Sequence, residues 1–132
     1  MFVYTHQVHY YETDRMGVTH HSNYIRFMEE ARVAYLDAIG ASYARFEEEG
    51  FISPVIEVGG RYLHSTTFDD VLEIEVFVKS MTTFKLKLGY TMRCRGEIAF
   101  EGVSLHCFLD KEGHPVPIAE RYPQFREQLH LA

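Results

Sequence analysis

The stretch Ser22-Asn23-Tyr24-Ile25-Arg26-Phe27-Met28-Glu29-Glu30-Ala31-Arg32-Val33-Ala34-Tyr35-Leu36-Asp37-Ala38-Ile39-Gly40 reads as one long helix. Tyr24, Phe27, Met28, Ala31, Tyr35, Ala38 and Ile39 recur at the spacing of a single helical face. Arg26, Glu29, Glu30, Arg32 and Asp37 fall largely elsewhere. Ser22 or Asn23 offers an N-cap oxygen, and Gly40 is a suitable stop. An apolar stripe of this kind needs a sheet or a second helix to cover it.

Working outward, Phe2 to Glu12 is rich in β-branched and aromatic residues, which suits a strand, and Thr13 to Gly17 breaks it with Asp and Gly. A shorter helix is expected from Ser42 to Glu49, ended by Gly50. From Pro54 onward the period changes to two. Leu72, Ile74, Val76 and Val78 alternate with Glu73, Glu75, Phe77 and Lys79, and Phe84 to Cys94 alternates likewise. Val103, Leu105, Cys107 and Leu109 alternate with Ser104, His106 and Phe108. Antiparallel strands with one buried face require such alternation. A terminal helix from Ala119 to Leu129 completes the pattern. The class is α+β, one helix covered by a run of antiparallel strands.

At 132 residues, 46% hydrophobic and 24% charged, residues 1–132 are expected to form one domain around one core. The net charge of -6 gives no electrostatic case for nucleic acid. Lys79, Lys85, Lys87, Arg93 and Arg95 nevertheless cluster, either as a local anion site or as a solvated strand face. Cys94 and Cys107 are expected to be reduced thiols. No basic and apolar leader opens the sequence, and no stretch approaches the roughly 20 apolar residues of a membrane span. A cytoplasmic protein without membrane insertion is the expectation.

Asp14 stands between the first strand and the start of the long helix, where backbone N–H groups lack helical partners. Such donors can hold a developing oxyanion while a carboxylate attacks a carbonyl or activates water. Gly17 would let the backbone approach a ligand closely. The plainer alternative is an Asp that caps a turn. His20 and His21, with His6 and His9 on the preceding strand, invite a metal reading, but no acidic or Cys partner stands at a typical ligand spacing, and no metal is expected. Adjacent histidines are expected to point apart. No Gly-x-Ser-x-Gly elbow occurs.

The run Asp14-x-x-Gly17-Val18-x-x-His21-x-Asn23-Tyr24, followed by Phe27, Glu29 and Ala31-Arg32, resembles the active-site motif of the 4-hydroxybenzoyl-CoA thioesterase-like branch of the hot-dog superfamily. It is especially similar to the bacterial acyl-CoA thioesterases associated with the Tol–Pal region, and Phe68 to Ile74 resembles their turn and strand entry. The resemblance implies a hot-dog fold, a five- or six-stranded antiparallel sheet wrapped round the long helix. It implies a homodimer or homotetramer with acyl-CoA sites between subunits. It further implies Asp14 as nucleophile or general base, His21 beside it, and a helix-start N–H as oxyanion donor. Gly17, Val18 and Tyr24 would position the substrate. Gly59 and Gly60, where a bulge or a close approach is expected, could admit the pantetheine arm, and Lys85, Lys87 and Arg93 could meet CoA phosphates. Coenzyme A is part of the substrate, and no separate cofactor is implied. Glu29 could pair with Arg32. Arg15-Met16 and Thr19-His20 depart from the usual family residues and bear on acyl preference. An acyl-carrier-protein thioesterase and a non-catalytic acyl-CoA-binding module are the alternatives. A hot-dog hydratase would carry Asp-x-Asn-x-x-His, which does not occur.

Overall fold

The computed structural model describes residues 1–129 and shows a five-stranded antiparallel sheet in the order β1-β3-β4-β5-β2. The strands are β1 (Phe2–Gln7), β2 (Val55–Tyr62), β3 (Val71–Met81), β4 (Lys85–Cys94) and β5 (Glu97–Cys107). The helices are α1 (Asn23–Ala38), α2 (Tyr43–Glu48), α3 (Ile118–Arg121) and α4 (Gln124–Gln128). The sheet covers α1 through one apolar cluster, in which Phe27, Met28 and Ala31 of α1 meet Leu72, Ile74, Leu88 and Met92. This is the expected α+β arrangement, with five strands.

Local chemistry explains the departures. β1 ends at Gln7 instead of reaching Glu12, because residues 10–12 turn into one 3₁₀ turn and Glu12 folds back. Its carboxylate accepts the His9 N–H at 2.8 Å. Neither Ser22 nor Asn23 caps α1 with its side chain. Ser22 Oγ instead shares a hydrogen bond with His20 Nδ1, and Asn23 Nδ2 donates to the Glu12 carbonyl. α2 is capped as expected, with Ser42 Oγ accepting from the Arg45 N–H at 3.2 Å. The expected helix over 119–129 is broken into α3 and α4 at Pro123, which excludes helical geometry at Tyr122 (φ -131°, ψ 76°).

The largest departure concerns β5 and α1. On β5 the buried face carries two polar residues beyond Phe100: Ser104 and His106 lie inside while Val103, Leu105 and Cys107 are half-buried on the outer face. Arg32 is buried too, and it pairs with no carboxylate among the described residues. Instead of Glu29 it meets two phenols, donating from Nε to Tyr43 at 3.0 Å and from Nη1 to Tyr90 at 3.1 Å. Tyr90 then bonds Ser104 at 2.6 Å, and Ser104 bonds His106 Nε2 at 2.7 Å. The sheet turns its polar residues inward because α1 delivers a guanidinium there that must find oxygen partners.

β2 is an edge strand, exposed along its full length and paired only with β5. Its irregularity falls between Val55 and Glu57, away from the two glycines. Gly60 has a steric reason: a Cβ there would collide with the Phe100 ring and lie 2.7 Å from the Glu101 carbonyl oxygen. Gly59 faces open space. Gly60→Val is therefore expected to cost about 1–3 kcal/mol by overpacking, and Gly59→Ala well under 1 kcal/mol. Urea denaturation of both variants checks this; equal losses would remove the steric account.

Candidate active site

Residues 12–20 form a tight loop that folds back on itself below the start of α1. Asp14 donates its N–H to the Val18 carbonyl (2.8 Å), and Gly17 donates to the Asp14 carbonyl (3.0 Å). Gly17 takes φ +81°, a conformation that other residues enter only with strain. The Asp14 carboxylate uses Oδ1 to accept the Met16 N–H at 2.8 Å. The turn-capping role and a chemical role are thus compatible, since one oxygen serves the loop and the other has no protein donor among the described residues.

Two further segments anchor the loop. The Glu12 carbonyl accepts the His20 N–H and Asn23 Nδ2, each at 2.8 Å, which joins the loop to the helix start. On the other side Thr19 donates its N–H to the Thr66 carbonyl (2.8 Å), and the Thr67 hydroxyl donates to the Gly17 carbonyl (2.6 Å). Tyr24 is buried, and its hydroxyl shares a 2.9 Å hydrogen bond with Thr66 Oγ1. Burial raises the Tyr24 phenol above its ordinary value, so it stays neutral.

His21 is exposed at the head of α1. Its ring stacks on that of His20, with centroids 4.2 Å apart, so the two histidines do not diverge. The His21 carbonyl accepts from the Tyr62 hydroxyl at 3.0 Å and from the Tyr24 N–H at 3.3 Å. The His21 N–H has no protein acceptor among the described residues, which suits a helix-start donor.

A cleft of about 210 Å³ opens here, bringing Val18, His21 and Tyr24 together with Tyr62, Leu63 and His64. Asp14 and Gly17 stand in the adjoining loop and do not line it. Tyr62, His64 and Thr66 carry no motif and come from a distant stretch of chain; only the fold brings them here. A second cleft of about 350 Å³ lies against the sheet, where Gly59 and Gly60 meet Arg61 and Lys79. Lys85, Lys87 and Arg93 do not line it. All three point from the outer face of β4, and Arg93 is paired with Glu75 at 3.2 Å. Lys85 and Lys87 stand at the end of β4 away from Asp14, since β4 finishes beside the start of β3. Cys94 and Cys107 are free thiols, and no helix of the described residues is long and apolar enough to cross a membrane.

Residues 8–129 match the family described as the thioesterase-like superfamily. A Bacillus subtilis relative, provisionally named an acyl-CoA thioesterase, is 29% identical over 96% of this chain and 93% of its own length. A 1,4-dihydroxy-2-naphthoyl-CoA hydrolase of Thermosynechococcus vestitus is 28% identical over 91% of this chain and 84% of its own. Among solved structures, the DHNA-CoA thioesterase of Staphylococcus aureus superposes with a TM-score of 0.87 at 27% identity, covering 98% of this chain and 88% of that one.

Proposed function

This chain belongs to the thioesterase-like superfamily, and from that premise we propose that residues 1–132 form an enzyme that hydrolyses acyl-CoA to the free acid and coenzyme A. The observation that supports the reading is the Asp14 loop, which keeps one carboxylate oxygen without a protein donor among the described residues and leads into the helix start with its unpartnered His21 N–H. Asp14 acts either as general base, taking a proton from the attacking water, or as nucleophile, forming a mixed anhydride that water then opens. In both routes the carbonyl oxygen becomes an oxyanion received by the His21 N–H. Collapse breaks the C–S bond, and the departing thiolate takes up a proton. No step needs a metal.

The reaction is proposed to run in a homodimer or homotetramer. β2 leaves an uncovered edge with Val55, Ile56, Val58 and Tyr62 exposed, an edge that a second chain would pair. Antiparallel pairing of two β2 strands sets the Tyr62 end of one against the Val55 end of the other. Val55 lies opposite His106, and Lys85 opposite Cys107, so the partner's Lys85 and the partner's Lys87 would come to the end of the sheet that holds Asp14. With Gly59, Gly60 and Arg93 they are proposed to receive the pantetheine arm and phosphates of CoA. A cytoplasmic location without membrane insertion is proposed with this reading.

The test is thiol release from a panel of aliphatic and aromatic acyl-CoA esters and an acylated carrier protein. Release from acyl-CoA at rates well above the spontaneous reaction is the expected result. Release from the carrier protein alone would make the carrier the substrate. Tight binding without release would reassign the chain as a binding module.

A further inference from the structure

We propose that His6, His9 and Glu12 form a transition-metal site, of the chemistry that takes Zn²⁺, where the end of β1 turns towards the Asp14 loop. One ligand atom from each of the three lies within 4.8 Å of the other two. His6 and Glu12 are buried, at 8% and 7% exposure, and His9 is exposed. The site stands independently of the thioester reading.

His6 lies between two carboxylates. Its Nε2 lies 2.9 Å from Glu12 Oε1, and its Nδ1 lies 3.2 Å from Glu30 Oε2. A neutral imidazole has one N–H and cannot satisfy a carboxylate at each nitrogen. A cation at Nε2 would let both carboxylates keep a positive partner. Glu30 also accepts from the Tyr4 hydroxyl at 3.4 Å, which fixes it beside Nδ1. In the tautomer with its proton at Nδ1, beside Glu30, the Nε2 lone pair would face Glu12 and be free to bind a cation. A histidine oriented by a carboxylate on its far nitrogen is the usual support of a metal ligand.

The third ligand can close without disturbing the core. The His9 ring stacks on the exposed Tyr11 at 5.1 Å and stands 5.5 Å from the His6 ring at 79°. Two imidazoles and one carboxylate, with a fourth position for water, make a set that Zn²⁺ accepts, whereas Ca²⁺ and Mg²⁺ prefer oxygen ligands throughout. An ion here would also hold the loop, because the Glu12 carbonyl accepts from His20 and Asn23 at the start of α1. A second cluster, Asp110, Glu112 and His114, is a poorer candidate. None of its three side chains is buried, whereas two of the three at the first site are.

The full chain, stripped with a chelator, would be titrated with Co²⁺ followed by its visible absorption, and with Zn²⁺ by calorimetry. One ion per chain and a four-coordinate cobalt spectrum are expected. His9→Ala, at an exposed position that leaves the fold intact, should weaken binding about tenfold or more. Glu30→Gln should weaken it by about tenfold through the lost support of Nδ1. Glu12→Gln should do at least as much, with circular dichroism to confirm that it folds, and His114→Ala should change nothing. Absence of one-to-one binding, or wild-type affinity in His9→Ala, would overturn the site.

Discussion

Asp14→Asn is expected to lower kcat/KM for acyl-CoA hydrolysis by about 10²–10⁴-fold, the range set by losing a positioned acid–base group. That corresponds to roughly 3–5 kcal/mol of transition-state stabilisation. Asparagine is the informative replacement because of what Asp14 does for the loop. Oδ1 accepts the Met16 N–H, and an amide oxygen can keep that bond. The turn, the Gly17 conformation and the Val18 contact should therefore survive, and thermal stability should stay within about 0.5 kcal/mol of wild type. Only the charge and the proton-accepting or nucleophilic oxygen are removed. Asp14→Ala deletes the turn bond as well and should lose both activity and some stability. Thiol release and thermal melting, measured on the same preparations, separate the two effects. If Asp14→Asn keeps turnover within a few-fold of wild type, Asp14 is a turn residue and the proposed chemistry must sit elsewhere.

How far the sequence led depends on whether a feature was local. The long helix was readable because its stripe and its Gly40 stop lie within one stretch, and Gly40 does take φ +78°. β3 and β4 were readable because their inner positions are nearly all apolar. β5 was misread in phase because Ser104 and His106 are polar by type and buried by circumstance. Nothing in β5 itself announces that Arg32 waits opposite. The same limit applies to the site. Asp14 to Gly17 is a self-contained loop and its character shows in the residues alone. Tyr62 and His64 reach the cleft, and Thr66 its Tyr24 wall, from the end of β2 and the chain after it, so no spacing rule points to them. The His6, His9 and Glu12 cluster was hidden by one assumption, that the first strand runs on to Glu12. An extended chain would hold Glu12 far from His6; the 3₁₀ turn brings their side chains to 2.9 Å.

The buried polar chain beneath β5 leads to the largest expected effect on stability. His106 is 1% exposed, and its Nδ1 has no hydrogen-bond partner among the described residues. Burial, and secondarily the Arg32 guanidinium, push the His106 imidazole down from 6.5 to about 4. Protonation would place a second cation, with a bare N–H, in the same closed space as Arg32. Above pH 6.5 the ring is neutral in both folded and unfolded chains, and the full stability is present. As the pH falls from 6.5 towards 4, the unfolded chain binds a proton that the folded chain refuses, so stability must fall with pH across that window. A shift of this size corresponds to about 3 kcal/mol. Below pH 4 the folded ring is protonated too, and the loss stops growing. Urea denaturation at fixed protein concentration, at pH 7 and at pH 4.5, would measure most of it. His106→Gln retains a neutral polar group next to Ser104 but cannot titrate. It should be less stable than wild type at pH 7, because glutamine fits the space imperfectly, and the gap should narrow by roughly 2–3 kcal/mol at pH 4.5. Carboxylates elsewhere titrate in both proteins and cancel in the comparison. Parallel pH dependence in the two proteins would mean that the folded state accommodates the second charge, and that water or motion reaches His106.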